Sequence, residues 1–97
     1  MIANELNDQE YAAFYAPYIA MLSNEDLIEE LEISLHLLIK FVQNIPLDKF
    51  DFRYEIDKWT IKDIIQHLID SERIFSYRAL RIARADKTPL SGFDENL

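Results

Sequence analysis

The chain has 97 residues, of which 49% are hydrophobic and 12% aromatic, so it is too short for more than one domain and too apolar to be disordered. Its formal net charge is -8, and the acidic excess lies in residues 1–60, which disfavours binding to nucleic acid or to anionic membranes. The absence of cysteine excludes disulfides, thiolate metal sites and a cysteine nucleophile, and it is compatible with a cytoplasmic location. With one glycine and three prolines, the composition favours an all-α fold.

The first predicted element is a short helix over residues 8–16, where Tyr11, Phe14 and Tyr15 recur at helical spacing. Pro17 either interrupts this helix or opens a second turn. The aromatic side chains are expected to pack over the end of a bundle or, alternatively, to line the mouth of a pocket. The first residues lack a basic region followed by an apolar run, so no signal peptide is predicted. No apolar stretch approaches the roughly 20 residues that span a bilayer.

The second predicted element is a helix over residues 24–44. Ser23 can cap its start, and Asp26 stands three residues later, where the helix dipole favours an acid. His36 projects opposite the main apolar stripe and is expected to be solvated. The stripe consists of Leu27, Ile28, Leu31, Leu35, Leu38, Val42 and Ile45. Pro46 ends the helix, and an apolar connection without a clear period follows over residues 46–59.

The third predicted element is a helix over residues 61–85, again opened by a cap-and-acid pattern at Thr60 and Asp63. Thr88, Pro89 and Gly92 end it. Its last turns are basic, which suits the negative end of the helix dipole and allows pairing with the acidic first part of the chain. The alternative is contact with an anionic substrate, such as the carboxylate of a thiol cofactor. The basic residues are Arg73, Arg78, Arg81, Arg84 and Lys87.

Two long amphipathic helices cannot cover each other's apolar faces, and a chain of this size is marginally stable even when well packed. The usual solution is a bundle of four helices. We therefore expect residues 1–97 to form half of such a bundle. A second copy in a homodimer would complete it, or helices that are absent from this sequence would.

His67 is the candidate metal ligand, because a neutral imidazole binds zinc, nickel and iron and a neighbouring carboxylate can orient it. Asp63, Asp70 and Ser71 lie three or four residues away and share its side of the helix. The alternative is a structural histidine at the edge of the core.

Glu72 falls within the apolar stripe of the same helix, so its carboxylate is expected to be buried. It would then pair with an arginine or accept a hydrogen bond from the Trp59 indole. The alternative is an acid/base group that faces a polar bundle interior.

The run from Lys58 to Arg81, KWTIKDIIQHLIDSERIFSYRALR, closely resembles the DinB/YfiT-like superfamily. The residues that follow it up to Asn96 and the early tyrosines resemble the same group. The family pattern W-[ST]-x-x-[ED]-x-x-x-H-L matches here from Trp59 to Leu68. The resemblance implies an up-down four-helix bundle in which three histidines hold a divalent metal, zinc, nickel or iron. The first of these histidines corresponds to His67.

The other two family histidines come from an H-x-x-x-H pair on the last helix, which this sequence lacks. The chain is therefore expected to be the N-terminal part of the domain. Family members include thiol-dependent S-transferases that use bacillithiol or mycothiol, a maleylpyruvate isomerase and proteins described as metal-dependent hydrolases. The resemblance thus implies a metal that activates water or a thiol, and a small molecule as substrate. In such an enzyme Asp70 or Glu72, the candidate catalytic residues, would either handle protons or support the metal ligand. The alternative is a non-catalytic module that self-associates.

Overall fold

The computed structural model describes residues Met1–Leu97 and contains three α-helices, three short 3-10 helices and no strand. The α-helices are α1 (Ala16–Ala20), α2 (Leu27–Gln43) and α3 (Ile61–Ala83), and the 3-10 helices are Ala3–Glu5, Ala13–Tyr15 and Leu47–Lys49. The predicted all-α class is confirmed. The chain divides into two units, Met1–Ile45 with α1 and α2, and Pro46–Leu97 with α3.

The leading helix lies later in the chain than predicted. Residues 8–11 form a turn and a bend, and the helix expected over residues 8–16 is replaced by the 3-10 turn Ala13–Tyr15 and by α1. Pro17 lies in the first turn of α1, where a residue without an amide hydrogen costs nothing. The Asn7 side chain accepts the amide of Gln9 at 3.0 Å, an alternative to helical bonding that helix propensity alone does not take into account.

Helix α2 begins three residues later than predicted, at Leu27, and the cap is Asp26 rather than Ser23. The Asp26 carboxylate accepts the amide of Ile28 at 2.9 Å, whereas the Ser23 hydroxyl donates to Glu30 at 2.6 Å. Both residues can cap a helix, and an ionised acceptor forms the stronger bond to an amide at the positive end of the dipole. His36 is exposed, as predicted.

Helix α3 starts at the predicted residue but ends two residues early. Thr60 is its N-cap, and the last helical residue is Ala83 because Ala85 adopts a left-handed conformation with φ of 55°. Apolar side chains along the helix remain open to solvent, for example Leu68 at 43% and Phe75 at 61% exposure. Across the whole chain no apolar residue is buried, and Thr60 is the one buried residue, at 7% exposure. No helix combines the length and the apolar character needed to cross a membrane.

Candidate functional site around His67

All four backbone amides that lack a partner within the helix at the start of α3, those of residues 60–63, form hydrogen bonds. The Thr60 hydroxyl accepts the Asp63 amide at 3.1 Å, and the Asp63 carboxylate accepts the Thr60 amide at 2.9 Å. The amides of residues 61 and 62 donate to the backbone carbonyls of Phe52 and Phe50, at 3.1 and 3.0 Å. The two bonds with Thr60 also hold the pKa of Asp63 below its usual value. The first turn of α3 and the connection before it therefore form one hydrogen-bonded unit.

This anchored turn places Trp59 beside His67. The centroids of the two rings are 4.9 Å apart, with 52° between their planes, and both side chains are half-buried. One turn further along α3, the Ser71 hydroxyl lies 3.5 Å from Nε2 of His67. An aromatic ring and a hydroxyl thus flank the imidazole, rather than the carboxylate that the sequence suggested.

A cavity of about 610 Å³ opens on this side of α3. Its helical wall includes His67, Asp63 and Asp70, so the structure brings these three sequence-predicted neighbours to one surface. The complete lining is Trp59, Asp63, Gln66, His67, Asp70, Arg73, Ile74, Phe93, Asp94, Glu95, Asn96 and Leu97. The second wall therefore comes from the end of the chain, which sequence reasoning did not assign to the site.

The two candidate catalytic carboxylates differ in position. Asp70 faces the cavity, accepts the side-chain amide of Gln66 at 2.9 Å and lies 3.9 Å from the guanidinium of Arg73. Glu72 does not line the cavity, and its nearest polar partner is the Ser76 hydroxyl at 3.5 Å. The prediction that Glu72 is buried is wrong, because the apolar stripe around it is itself exposed to water.

The basic end of α3 pairs within its own unit. Arg81 forms an ion pair with Asp86, and one of its terminal nitrogens donates to the carbonyl of Thr88 at 3.1 Å. Arg78 donates to the carbonyl of Ser91, also at 3.1 Å. These contacts fold residues 86–97, which we call the return segment, back along α3. The sequence predicts that these cations suit the helix dipole and pair with the acidic first part of the chain, whereas in the structure Arg81 pairs with Asp86.

The residues present fit one ligand of a metal ion but not a whole metal site. No group of three or more histidine, cysteine, aspartate or glutamate side chains converges in a way that could hold an ion. Of the two histidines in the sequence, His67 lines the cavity and His36 lies on α2. Asp63 is engaged by the helix cap and Asp70 by Gln66. An ion at His67 would therefore need ligands beyond those that this chain brings together.

The curated proteins that the chain resembles carry names that refer to a metal. It is 26% identical over 87% of its length to a "putative metal-dependent hydrolase" of Bacillus cereus strain G9842. Proteins of the same name from Bacillus mycoides strain KBAB4 and Bacillus anthracis strain CDC 684 are 23% and 25% identical over the same share. In each case the chain spans about half of the relative's length, 50%. No solved structure matches the chain.

The model of one family matches residues 30–96, which include most of α2, all of α3 and nearly all of the return segment. The match contains every residue that lines the His67 cavity except Leu97. Because this match covers well over half of the chain, the protein belongs to the DinB superfamily.

Proposed function

We propose that this chain supplies the His67 side of a divalent-metal centre in a metal-dependent hydrolase or thiol transferase. The observation that carries the proposal is a half-buried imidazole facing a cavity of about 610 Å³. The names of the relatives support a metal-dependent hydrolase, with the chain matching about half of each. The thiol-transferase alternative rests on the family resemblance.

The chain's own residues would hold the ring and shape the cavity. The ring of Trp59 lies against the His67 imidazole and would limit its rotation, which is how neighbouring groups prepare a ligand before an ion arrives. Of the two candidate proton-handling groups, Asp70 is the better placed, since it lines the cavity and Glu72 does not. The remaining ligands would come from outside residues 1–97 or from a second copy of the chain. The metals that suit an imidazole ligand, and that the family resemblance implies, are zinc, nickel and iron.

The test is a metal titration of the 97-residue protein with Ni²⁺ and Zn²⁺, followed by the fluorescence of Trp59, the single tryptophan. Because Trp59 lies against His67, metal binding to that imidazole should change its emission. The change should disappear in His67→Ala and persist in His36→Ala, which removes the other histidine. Because this chain brings a single imidazole to the cavity, binding should be weak and should need excess metal. Equal responses in the two variants would refute the proposal.

A second candidate function is self-association without catalysis. It is favoured by the exposure of the apolar stripe of α2, where Leu31 and Leu35 are 57% and 54% exposed, and by the absence of any buried apolar residue. Burying such surface stabilises an assembly by about 25 cal/mol per Å². Analytical ultracentrifugation distinguishes the alternatives: a homodimer without bound metal supports the module, whereas a stable monomer that binds a stoichiometric metal contradicts it.

A further inference from the structure

The chain reverses direction immediately after α3. The amide of Ala85 donates to the carbonyl of Ile82 at 2.9 Å, and the amide of Asp86 donates to the carbonyl of Arg81 at 3.1 Å. This pair of bonds is a Schellman motif, in which the left-handed residue is usually glycine and here is Ala85. The motif redirects the return segment back towards the start of α3.

Arg81 holds the return segment at its beginning. Its guanidinium contacts three groups: the carboxylate of Asp86, the carbonyl of Thr88 and the hydroxyl of Tyr77, the last at 2.6 Å. The side chain is 17% exposed, whereas that of Arg73 is 76% exposed. The planar, five-donor guanidinium can serve three acceptors at once, which a lysine ammonium on a flexible stem cannot do in the same geometry.

The contacts continue towards the His67 cavity in order. Arg78, one turn before Arg81, donates to the Ser91 carbonyl, and Phe93 then lines the same two cavities as Ile74. Phe93 lines both a smaller cavity of about 210 Å³ near Arg78 and the larger cavity at His67. The return segment therefore runs antiparallel to α3 from Arg81 to the level of His67.

We propose that Arg81, assisted by Arg78, is a positioning residue of the His67 site, because its guanidinium holds the return segment in place as the second wall of the cavity. Apart from this contact, the hydrogen bonds that join the start of the segment to α3 are the two backbone bonds of the helix end. The inference rests on the proposed function only in taking the His67 cavity as the site. The second wall contributes two acidic side chains, Asp94 and Glu95, to the lining of the cavity that His67 also lines.

The experiment measures how easily acrylamide, a neutral quencher, reaches Trp59 in the full chain. Trp59 lines the same cavity as residues 93–97, so loss of that wall exposes its indole. Arg81→Met removes the guanidinium and keeps a long apolar stem. Arg84→Met is the matched control, because it removes the same charge in the same turn and the Arg84 side chain makes no hydrogen bond or ion pair.

We expect the quenching constant to rise about twofold in Arg81→Met, since release of a segment opens local surface without global unfolding. It should stay unchanged in Arg84→Met, with equal helix content in both variants by circular dichroism. Arg81→Lys separates geometry from charge: it should resemble Arg81→Met if the three-way contact matters. If Arg81→Met loses helix content, the quenching constant of Arg81→Lys serves as the test instead.

Equal quenching in the unmodified protein, Arg81→Lys and Arg84→Met would overturn the proposal. Hydrogen exchange provides a second readout, because the amide of Thr88, which donates to Asp86, should lose protection in Arg81→Lys while the amides of α3 keep theirs. Neither measurement uses a metal. Failure of the metal titration would therefore leave the positioning role of Arg81 standing, and failure here would leave metal binding by His67 open to its own test.

Discussion

Replacing Ala85 by glycine should stabilise the end of α3. Ala85 has φ of 55°, a conformation in which a Cβ atom approaches the following carbonyl and costs about 1–2 kcal/mol. Glycine removes that cost but adds roughly 0.4–1 kcal/mol of conformational entropy to the unfolded chain. The difference predicts a gain of about 0.5–1 kcal/mol in the free energy of unfolding.

Thermal unfolding followed by far-UV circular dichroism measures this gain. For a chain of this size, about 0.5–1 kcal/mol corresponds to a rise of roughly 2–8 °C in Tm. The matched control is Ala79→Gly, the same substitution in the middle of α3, which should lower the free energy of unfolding by about 1 kcal/mol. If both variants lower Tm, then Ala85 is not held in the left-handed conformation, and the Schellman motif does not end the helix.

Three further outcomes follow from individual contacts. Thr60→Ala should cost about 1 kcal/mol of stability in urea unfolding, because it removes one side of the capping box, and Thr60→Ser should restore most of it. Hydrogen bonds from Thr88 and the ion pair with Arg81 lower the pKa of Asp86 from 3.8 to about 2, so the stability it provides is complete above pH 3.8 and is lost as the pH falls through about 2. The amide shift of Thr88, which donates to Asp86, should titrate with that midpoint in NMR spectra, and a midpoint near 3.8 would contradict the contact. Ser71→Ala should change stability by less than about 0.5 kcal/mol, because the 3.5 Å separation from His67 is too long for a strong hydrogen bond.

The helical wall of the candidate site could be predicted from the sequence because it is local. Asp63, His67, Asp70 and Ile74 are separated by three or four residues, so helical periodicity alone puts them on one face. The capping pattern at Thr60 fixed where that helix begins, and the structure has it at the same residue. Local bonding rules were sufficient for this half of the cavity.

The other wall could not be predicted, since it depends on a contact pattern that periodicity does not encode. The five residues after Gly92 reach His67 through a left-handed alanine and a three-way arginine contact, and neither has a distinctive spacing. The burial of Glu72 was mispredicted for a related reason. A helical stripe shows which side chains share a face, but it does not show that anything covers that face.

The cavity carboxylates cannot be ranked as catalytic groups by loss of activity alone, because Asp63 has two functions in the structure. It faces the cavity and also accepts the Thr60 amide, so an Asp63 variant would weaken the start of α3 and shift Trp59 along with His67. Its lowered pKa also makes it a poor proton acceptor. Asp70 contributes no cap and bonds only to side chains on its own helix, so Asp70→Asn changes its charge and leaves the scaffold intact. A role in proton transfer is therefore testable at Asp70, with Thr60→Ala serving as the measure of what a damaged helix start does by itself.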